Sequence, residues 1–474
     1  MPIPRSKRGP SSTSSHPDRS RARSWICGRC PTTKQPACCS ASTSIIRHAT
    51  RGIMRLDIVN IRRDTAALCE IGNRFVGSDG ERQARDYIFA RMRELDLQSV
   101  RKDMFEVATY RPLNAKCTLV GAAAPALDCV GLQFMGSDRV EAEAVLIGEL
   151  SDTADLDAIC RHLPPVRGRI AVIKTSYPYL FVDDLTERGA LGIVMLGDAP
   201  DGYCRNLNAM MYPALVERPN GAHHRIAGVT LSEQSSTMLL AHIAAGGRLR
   251  LEHQAEYPIV ETGNVIGELP GSDVGEVVVG AHYDTQLDGV GASDNALGIA
   301  CLLEMMRQLG EHDLRRRVVA VAFADEEAGF RGSADYVQRY GARLAETVGM
   351  VNLDALAWAP AQRSLHADPS IMEFAAETAE AAGWLIENRA DASLFPGSDH
   401  NPFIDAGVPA AFFWRNPPTH PYYHTRGDSL DRIDFQIAVD TASAAAAVVK
   451  RLANDPTLPF DRSQPTRRWI DLRP

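Results

Sequence analysis

The residues best equipped for chemistry lie between positions 282 and 424. VVVGAHYDT ends in His282 and Asp284, and GASDNALG carries Asp294 at a turn before a helix. VVAVAFADEE ends in Asp325, Glu326 and Glu327, VNLDAL carries Asp354, and PYYHTRGDSLD carries His424. Three of these segments are apolar runs that finish in acids or an imidazole. In open α/β sheets ligands bind at the carboxyl ends of the strands. So many carboxylates on one rim would repel each other unless cations neutralised them. Histidine plus carboxylate, without cysteine, is the donor set of catalytic zinc or a related divalent ion rather than of a closed structural site. Each piece alone reads plainly: a hydrogen-bonded His-x-Asp pair, a solvated Glu-Glu loop, an Asp294 helix cap, a loop acid at Asp354. Their recurrence in order within one block is what argues for a site.

The elements that must position these residues alternate. Strands are expected at 277–284, 318–325, 350–356 and 409–414, and helices at 294–309, 330–340, 370–382 and 436–452. Apolar strands alternating with helices imply a sheet covered on both faces. The expected fold is α/β, a mixed, mostly parallel sheet flanked by helices. Upstream, 55–72 and 79–96 read as helices, with Asp79 as the cap of the second. Residues 98–135 turn to strand-like runs broken by Pro and Gly. Residues 136–256 follow their own strand–helix logic, with strands at 168–173, 191–196 and 226–232, and helices at 181–190 and 233–245. The chain therefore divides into a basic leader (1–53), the first part of the main domain (54–135), a smaller inserted α+β domain (136–256), the main part (257–455) and a C-terminal extension (456–474).

The series AHYDT, GASDNALG, ADEEAGFRGS, VNLDAL, PGSDHNPF and YYHTRGDSLD resembles the co-catalytic dizinc exopeptidases, a family that includes bacterial leucyl aminopeptidase, aminopeptidase Y and glutamate carboxypeptidase. The likeness covers 258–455 strongly and 55–97 weakly. Residues 136–256 resemble the protease-associated domain that many members carry as an insertion. The resemblance implies two zinc ions, with cobalt or manganese as alternatives. His282 and Asp354 would bind one, Glu327 and His424 the other, and Asp294 would bridge them. It implies Glu326 as general base, Asp284 as the acid that orients His282, and a cis bond after Asp294. Two such ions about 3.5–4 Å apart hold a hydroxide and lower its pKa from about 15.7 toward 7. An oxyanion donor is expected from Tyr422 or Tyr423. Ser398 and Asp399 are expected to shape the substrate pocket or to support the ligands from behind, and His400 is not assigned as a ligand. His312, His366 and His420 read as surface or loop histidines.

The expected activity is that of a metal-dependent exopeptidase, an aminopeptidase first. A carboxypeptidase stays open, because Arg331, Arg415 and Arg426 lie near the motifs and could anchor a substrate carboxylate. A hydrolase of small amides or dipeptides, a glutaminyl cyclase and an inactive receptor-like module stand as alternatives on the same fold. The expected partner is a peptide or small amide.

Composition excludes other classes. The 474 residues are 45% hydrophobic and 23% charged, ordinary for a globular chain. A net charge of −8 argues against general nucleic-acid binding. No apolar run reaches the roughly 18 residues of a membrane span. Residues 1–53 are basic, rich in Ser and Arg, and expected to be disordered. They lack the apolar core of a secretory signal, and read as an organelle-type leader or as residues ahead of a start at Met54. Cys27 and Cys30 have half of a zinc-knuckle spacing. The six cysteines beyond the leader (Cys69, Cys117, Cys129, Cys160, Cys204 and Cys301) are scattered singly, which favours reduced thiols and a cytoplasmic setting.

Overall fold

In the computed structural model the described residues are 54–121, 126–150, 163–211, 224–358, 362–394, 397–415 and 420–462. The leader, its Cys27 and Cys30, and the end of the C-terminal extension lie outside them. Helices α1 (Ile58–Ile71) and α2 (Asp79–Glu94) precede strand β1 (Gln98–Ala108). Strands β2 (Arg111–Val120), β3 (Cys129–Gly131), β4 (Asp138–Glu149) and β5 (Ile170–Lys174) follow, then helix α3 (Val182–Glu187), β6 (Gly192–Met195), β7 (Ala227–Leu231), α4 (Glu233–Ala244) and β8 (Arg248–Glu256). Next come β9 (Ile259–Leu269), β10 (Glu276–His282), α5 (Leu297–Leu309), β11 (Arg317–Phe323), α6 (Arg331–Arg339) and β12 (Thr347–Leu353). The chain continues through β13 (Ser364–Ala367), α7 (Met372–Ala381), β14 (Asn388–Asp391), α8 (His400–Asp405), β15 (Ala410–Trp414) and α9 (Phe435–Asn454).

The strands form two mixed sheets. The larger has the order β1-β9-β11-β10-β12-β15-β13-β14. Its centre, from β11 through β10 and β12 to β15, is parallel, and antiparallel pairs flank it. Strand periodicity divides its side chains between two cores. Val277, Val279 and Ala281 of β10 pack with α1, α2, α5, α7 and α9. Val278 faces the other way, toward Phe323, Tyr336 of α6 and Phe403 of α8. Gly280 shares that second face, where a Cβ would come within 2.2 Å of the Phe323 ring. Helix α5 is apolar nearly all round because it is buried along most of its length.

The smaller sheet has the order β2-β8-β4-β5-β6-β7-β3. Its strands β2 and β3 fall within 54–135, the stretch grouped above with the main domain, so the sequence position of this sheet begins earlier than 136. Alternate residues of β5, Ile170 and Val172 against Ala171 and Ile173, enter separate cores on its two faces. A third cluster, including Phe75, Val107, Tyr110, Phe134, Met210 and Ala328, packs residues of both parts of the chain together. The cap of α2 is Ser78, whose side chain accepts from the Glu81 amide, and Asp79 is the first helical residue. Helix α5 starts at Leu297, not 294, because Asp294 and Asn295 have non-helical backbone angles. The described cysteines, Cys69, Cys117, Cys129, Cys204 and Cys301, are free thiols. Among the described residues no helix is long and apolar enough to cross a membrane.

Candidate metal centre

Strands β11, β10 and β12 are neighbours and parallel, with His282 opposite Phe323 and Gly280 opposite Asn352. Their carboxyl ends therefore finish on one rim. That rim gathers His282 from β10, Glu326 and Glu327 from the turn after β11, and Asp354 from the residue after β12. Two clusters of ligand-type atoms result: His282, Glu326 and Asp354 in one, and Asp294, Glu327 and His424 in the other. His282 Nε2 stands 3.2 Å from Asp294 Oδ1, 3.4 Å from Asp354 Oδ1 and 3.9 Å from Glu326 Oε2. His424 Nε2 stands 3.4 Å from Asp294 Oδ2 and 3.3 Å from Glu327 Oε2. Asp294 thus turns one carboxylate oxygen toward each histidine.

Backbone contacts hold these positions. Asp428 accepts from the amides of Ser293 and Asp294, at 2.9 Å each for the shorter contacts. Gly291 takes a positive φ of 55°, and a Cβ there would lie 2.3 Å from the Asp294 carbonyl, so the turn needs glycine. The Asp294–Asn295 peptide bond is cis, as the resemblance implied. Asp284 accepts from the Glu326 and Glu327 amides at 3.1 and 3.2 Å, and its Oδ1 lies 3.4 Å from His282 Nδ1. Fully buried Arg74, from the turn after α1, donates to the carbonyls of Leu68, Gly72, Tyr283, Val290 and Gly291. It ties the His282 strand end to the Asp294 turn.

The buried acids crowd negative charge that a cation would balance. Burial pushes Glu326 and Glu327 well above the ordinary carboxylate range, and the neighbouring acids push further, against His282. Burial alone would lower the His282 imidazole, but the Glu326 and Asp354 carboxylates lift it well above its ordinary value. Asp294 resists burial and is held low by the two histidines. His282 Nε2 and Asp354 Oδ1 are buried atoms without a hydrogen bond. Imidazole nitrogens facing carboxylate oxygens at 3.2–3.9 Å in a buried pocket fit divalent ions of the zinc type.

Residues 264–449 match the model described as Peptidase family M28. That stretch contains all six residues of the two clusters. It is 34% identical over 186 residues to aminopeptidase YwaD of Bacillus subtilis strain 168, which covers 36% of this chain and 40% of that protein. The chain thus spans less than half the length of that curated relative. It is 21% identical over 410 residues to carboxypeptidase Q of Xenopus laevis, covering 81% of this chain and 83% of that one. Among solved structures, BSAP, a zinc aminopeptidase from Bacillus subtilis, superposes with a TM-score of 0.64 at 21% identity, over 86% of this chain and 98% of that one. That likeness is one of fold.

A cavity of about 190 Å³ opens on this rim. Asp294, Glu326, Glu327, Asp354, Tyr423 and His424 line it, together with Asp391. The two tyrosines separate. Tyr423 is partly buried and stacks on the His424 ring at 3.6 Å between centroids. Tyr422 faces away, with its hydroxyl on Asp201 at 3.2 Å and the Arg432 guanidinium over its ring. Ser398 lies outside the cavity lining and donates to Asp354 Oδ2 at 2.9 Å while accepting from Asn352. Asp399 is buried beside it, and burial lifts its carboxyl to about 8. The Ser398 contact fits the supporting role. His400 is buried and stacks on Phe412.

Two residues differ from their sequence reading, while His420 is the loop histidine expected. His366 is neither surface nor loop: it sits in β13, lines the cavity and packs edge-on against Phe412 and Trp414. His420 stacks on Trp358 at 3.8 Å. Asp325, grouped with the rim acids, turns from the cavity to an ion pair with Arg331 at 2.5 Å. Sequence reasoning also missed the residues that the smaller-sheet region adds to the lining, including Tyr177, Tyr179, Leu207, Asn208 and Met211. No local signal marks them, since only the packing of the two sheets brings them there.

Proposed function

We propose that this chain is a metal-dependent aminopeptidase of the M28 type. The observation that carries the reading is the charge of the cavity. Its described lining includes five carboxylates and two histidines, and no Lys or Arg. With two divalent ions balancing the four acids of the clusters, Asp391 remains to meet a substrate α-ammonium, and the described lining offers no basic side chain to a substrate α-carboxylate. The arginines that could have anchored a carboxylate are elsewhere: Arg331 is paired with Asp325, Arg426 with Asp288 at 3.1 Å, and Arg415 is outside the lining. Asp391 belongs to neither ligand cluster and supplies negative charge for the amine. The cavity is smaller than the roughly 300–1,000 Å³ of drug-sized clefts, which favours one terminal residue over an internal stretch of chain.

His282 and Asp354 would hold one zinc ion, Glu327 and His424 the other, with Asp294 shared. Bound ions would polarise the scissile carbonyl and make water a nucleophile at neutral pH. Glu326 lines the cavity within the His282–Asp354 cluster, where it would take a proton from the attacking water and return it to the leaving amine. Asp284 orients His282 through Nδ1. Tyr423, which lines the cavity and whose hydroxyl desolvation keeps protonated, would donate to the developing oxyanion. The smaller sheet region is read as an inserted protease-associated-type domain that walls the substrate side.

The deciding experiment follows one peptide by mass spectrometry with zinc-loaded protein, with free ends, with an acetylated N-terminus and with an amidated C-terminus, each with and without chelator. Chelator-sensitive trimming from the N-terminus, blocked by acetylation alone, is expected. Blocking by the amide alone would replace the reading with a carboxypeptidase.

A further inference from the structure

One ligand cluster is held by the larger sheet, and the other leans on the smaller one. His282 and Asp354 are oriented by Asp284 and Ser398, both from the main part of the chain. The cluster of Asp294, Glu327 and His424 has a different set of neighbours. Residues 205–208, in the connection between β6 and β7, touch three of its backbone supports. The Asn206 amide donates to the His424 carbonyl at 2.8 Å. Arg205 donates to the Tyr423 and His420 carbonyls at 2.6 and 2.8 Å. The Asn208 side chain donates to the Glu327 carbonyl. A side-chain relay reaches the Glu327 carboxylate itself: Gln133, just after β3, donates to Gln286 at 2.6 Å, and Gln286 donates to Glu327 Oε2 at 2.9 Å. Gln133 is joined to the same segment, giving its amide to the Leu207 carbonyl and accepting from the Ala209 amide.

His424 gives these contacts a task. Its φ is 56°, a left-handed conformation that a non-glycine residue keeps only when its surroundings enforce it. The Asn206 amide and the Arg205 guanidinium grip the carbonyls of His424 and the residue before it. All three strap residues, Arg205, Asn206 and Asn208, are buried.

We propose that residues 205–208 and Gln133 are positioning residues that set the metal affinity of the Asp294–Glu327–His424 half-site, so that the smaller sheet governs one ion and not the other. This rests on the reading that the two clusters hold divalent ions. The two half-sites would then fill unequally, and loosening the strap would empty one while sparing its neighbour.

The test titrates zinc into the metal-free full chain, following heat and bound-ion count, with Arg205→Met, Asn208→Ala and Gln133→Ala beside the unaltered protein. Two ions are expected in the unaltered protein. In each variant one binding step should weaken by about 10–100-fold while the other keeps its affinity. Arg205→Lys should recover part of the loss. In a His424→Ala background, Asn208→Ala should leave the remaining step unmoved. Arg250→Ala, on the exposed side of the smaller sheet, should change neither step. Equal weakening of both steps, or no change in any of the three variants, would overturn the proposal and leave the metal reading standing. No zinc uptake by the unaltered protein would remove both.

Discussion

Glu326 and Glu327 are adjacent in sequence, share burial and share Asp284 as backbone support, yet their side chains join different clusters. Adjacent residues in a turn can point apart, and that divergence places one carboxylate in each cluster. Glu326→Gln should keep its metal and lose about 10²–10⁴-fold in kcat; turnover together with ion content checks this, and near-normal turnover would remove Glu326 as the base. Tyr423→Phe should lower kcat by about 10²-fold with KM little changed, whereas Tyr422→Phe should alter neither, since its hydroxyl lies on Asp201. Residue types and spacing made His282, Asp294, Glu326, Glu327, Asp354 and His424 legible in the sequence. They could not separate Tyr422 from Tyr423, because neighbouring residues leave the chain in different directions and only backbone geometry says which faces the cavity. His366 was misread for a related reason: its short strand β13 pairs only with other short strands, and carries little pattern of its own.

Among the elements, the three strands that end in chemistry were legible because they are continuously apolar, and strand order is what sequence does not state. Strand β11 lies on one side of β10 and β12 on the other, which puts three chain segments separated by dozens of residues onto one rim. The turn around Asp294 depends on another element, the end of α1, through Arg74. Arg74→Met would leave five backbone carbonyls without their donor. It should cost about 3 kcal/mol or more of stability, read as a lower urea midpoint in the metal-free protein. A midpoint unchanged from the parent would show that water replaces the guanidinium. Ser78 rather than Asp79 caps α2, a one-residue difference of the kind that cap geometry alone decides.

At the scale of the molecule, buried acid dominates. Burial lifts Asp428 to about 7 and Asp399 to about 8. A carboxyl whose folded pKa is raised is protonated in the folded chain while the unfolded chain stays ionised. The stability it contributes is therefore lost as pH rises through 7–8 and regained as pH falls. The metal-free protein should gain on the order of 2 kcal/mol between pH 8 and pH 6.5, measured by urea unfolding in the presence of chelator. Flat stability over that window would contradict the burial of these acids. Zinc should raise the melting temperature at pH 8, since binding to the folded state alone stabilises it by mass action.

The sequence by itself determined the α/β class, the order of the ligand-type residues and the donor chemistry, because strand periodicity and residue type are local properties of the chain. Tertiary structure decided what is non-local. It set which acids share a cluster, which arginines are spent on other partners and which tyrosine meets the cavity. It also brought residues 205–208 of the smaller sheet against His424 and Glu327. Each of these depends on the approach of segments far apart in the chain, and such an approach leaves no mark on the residues between them.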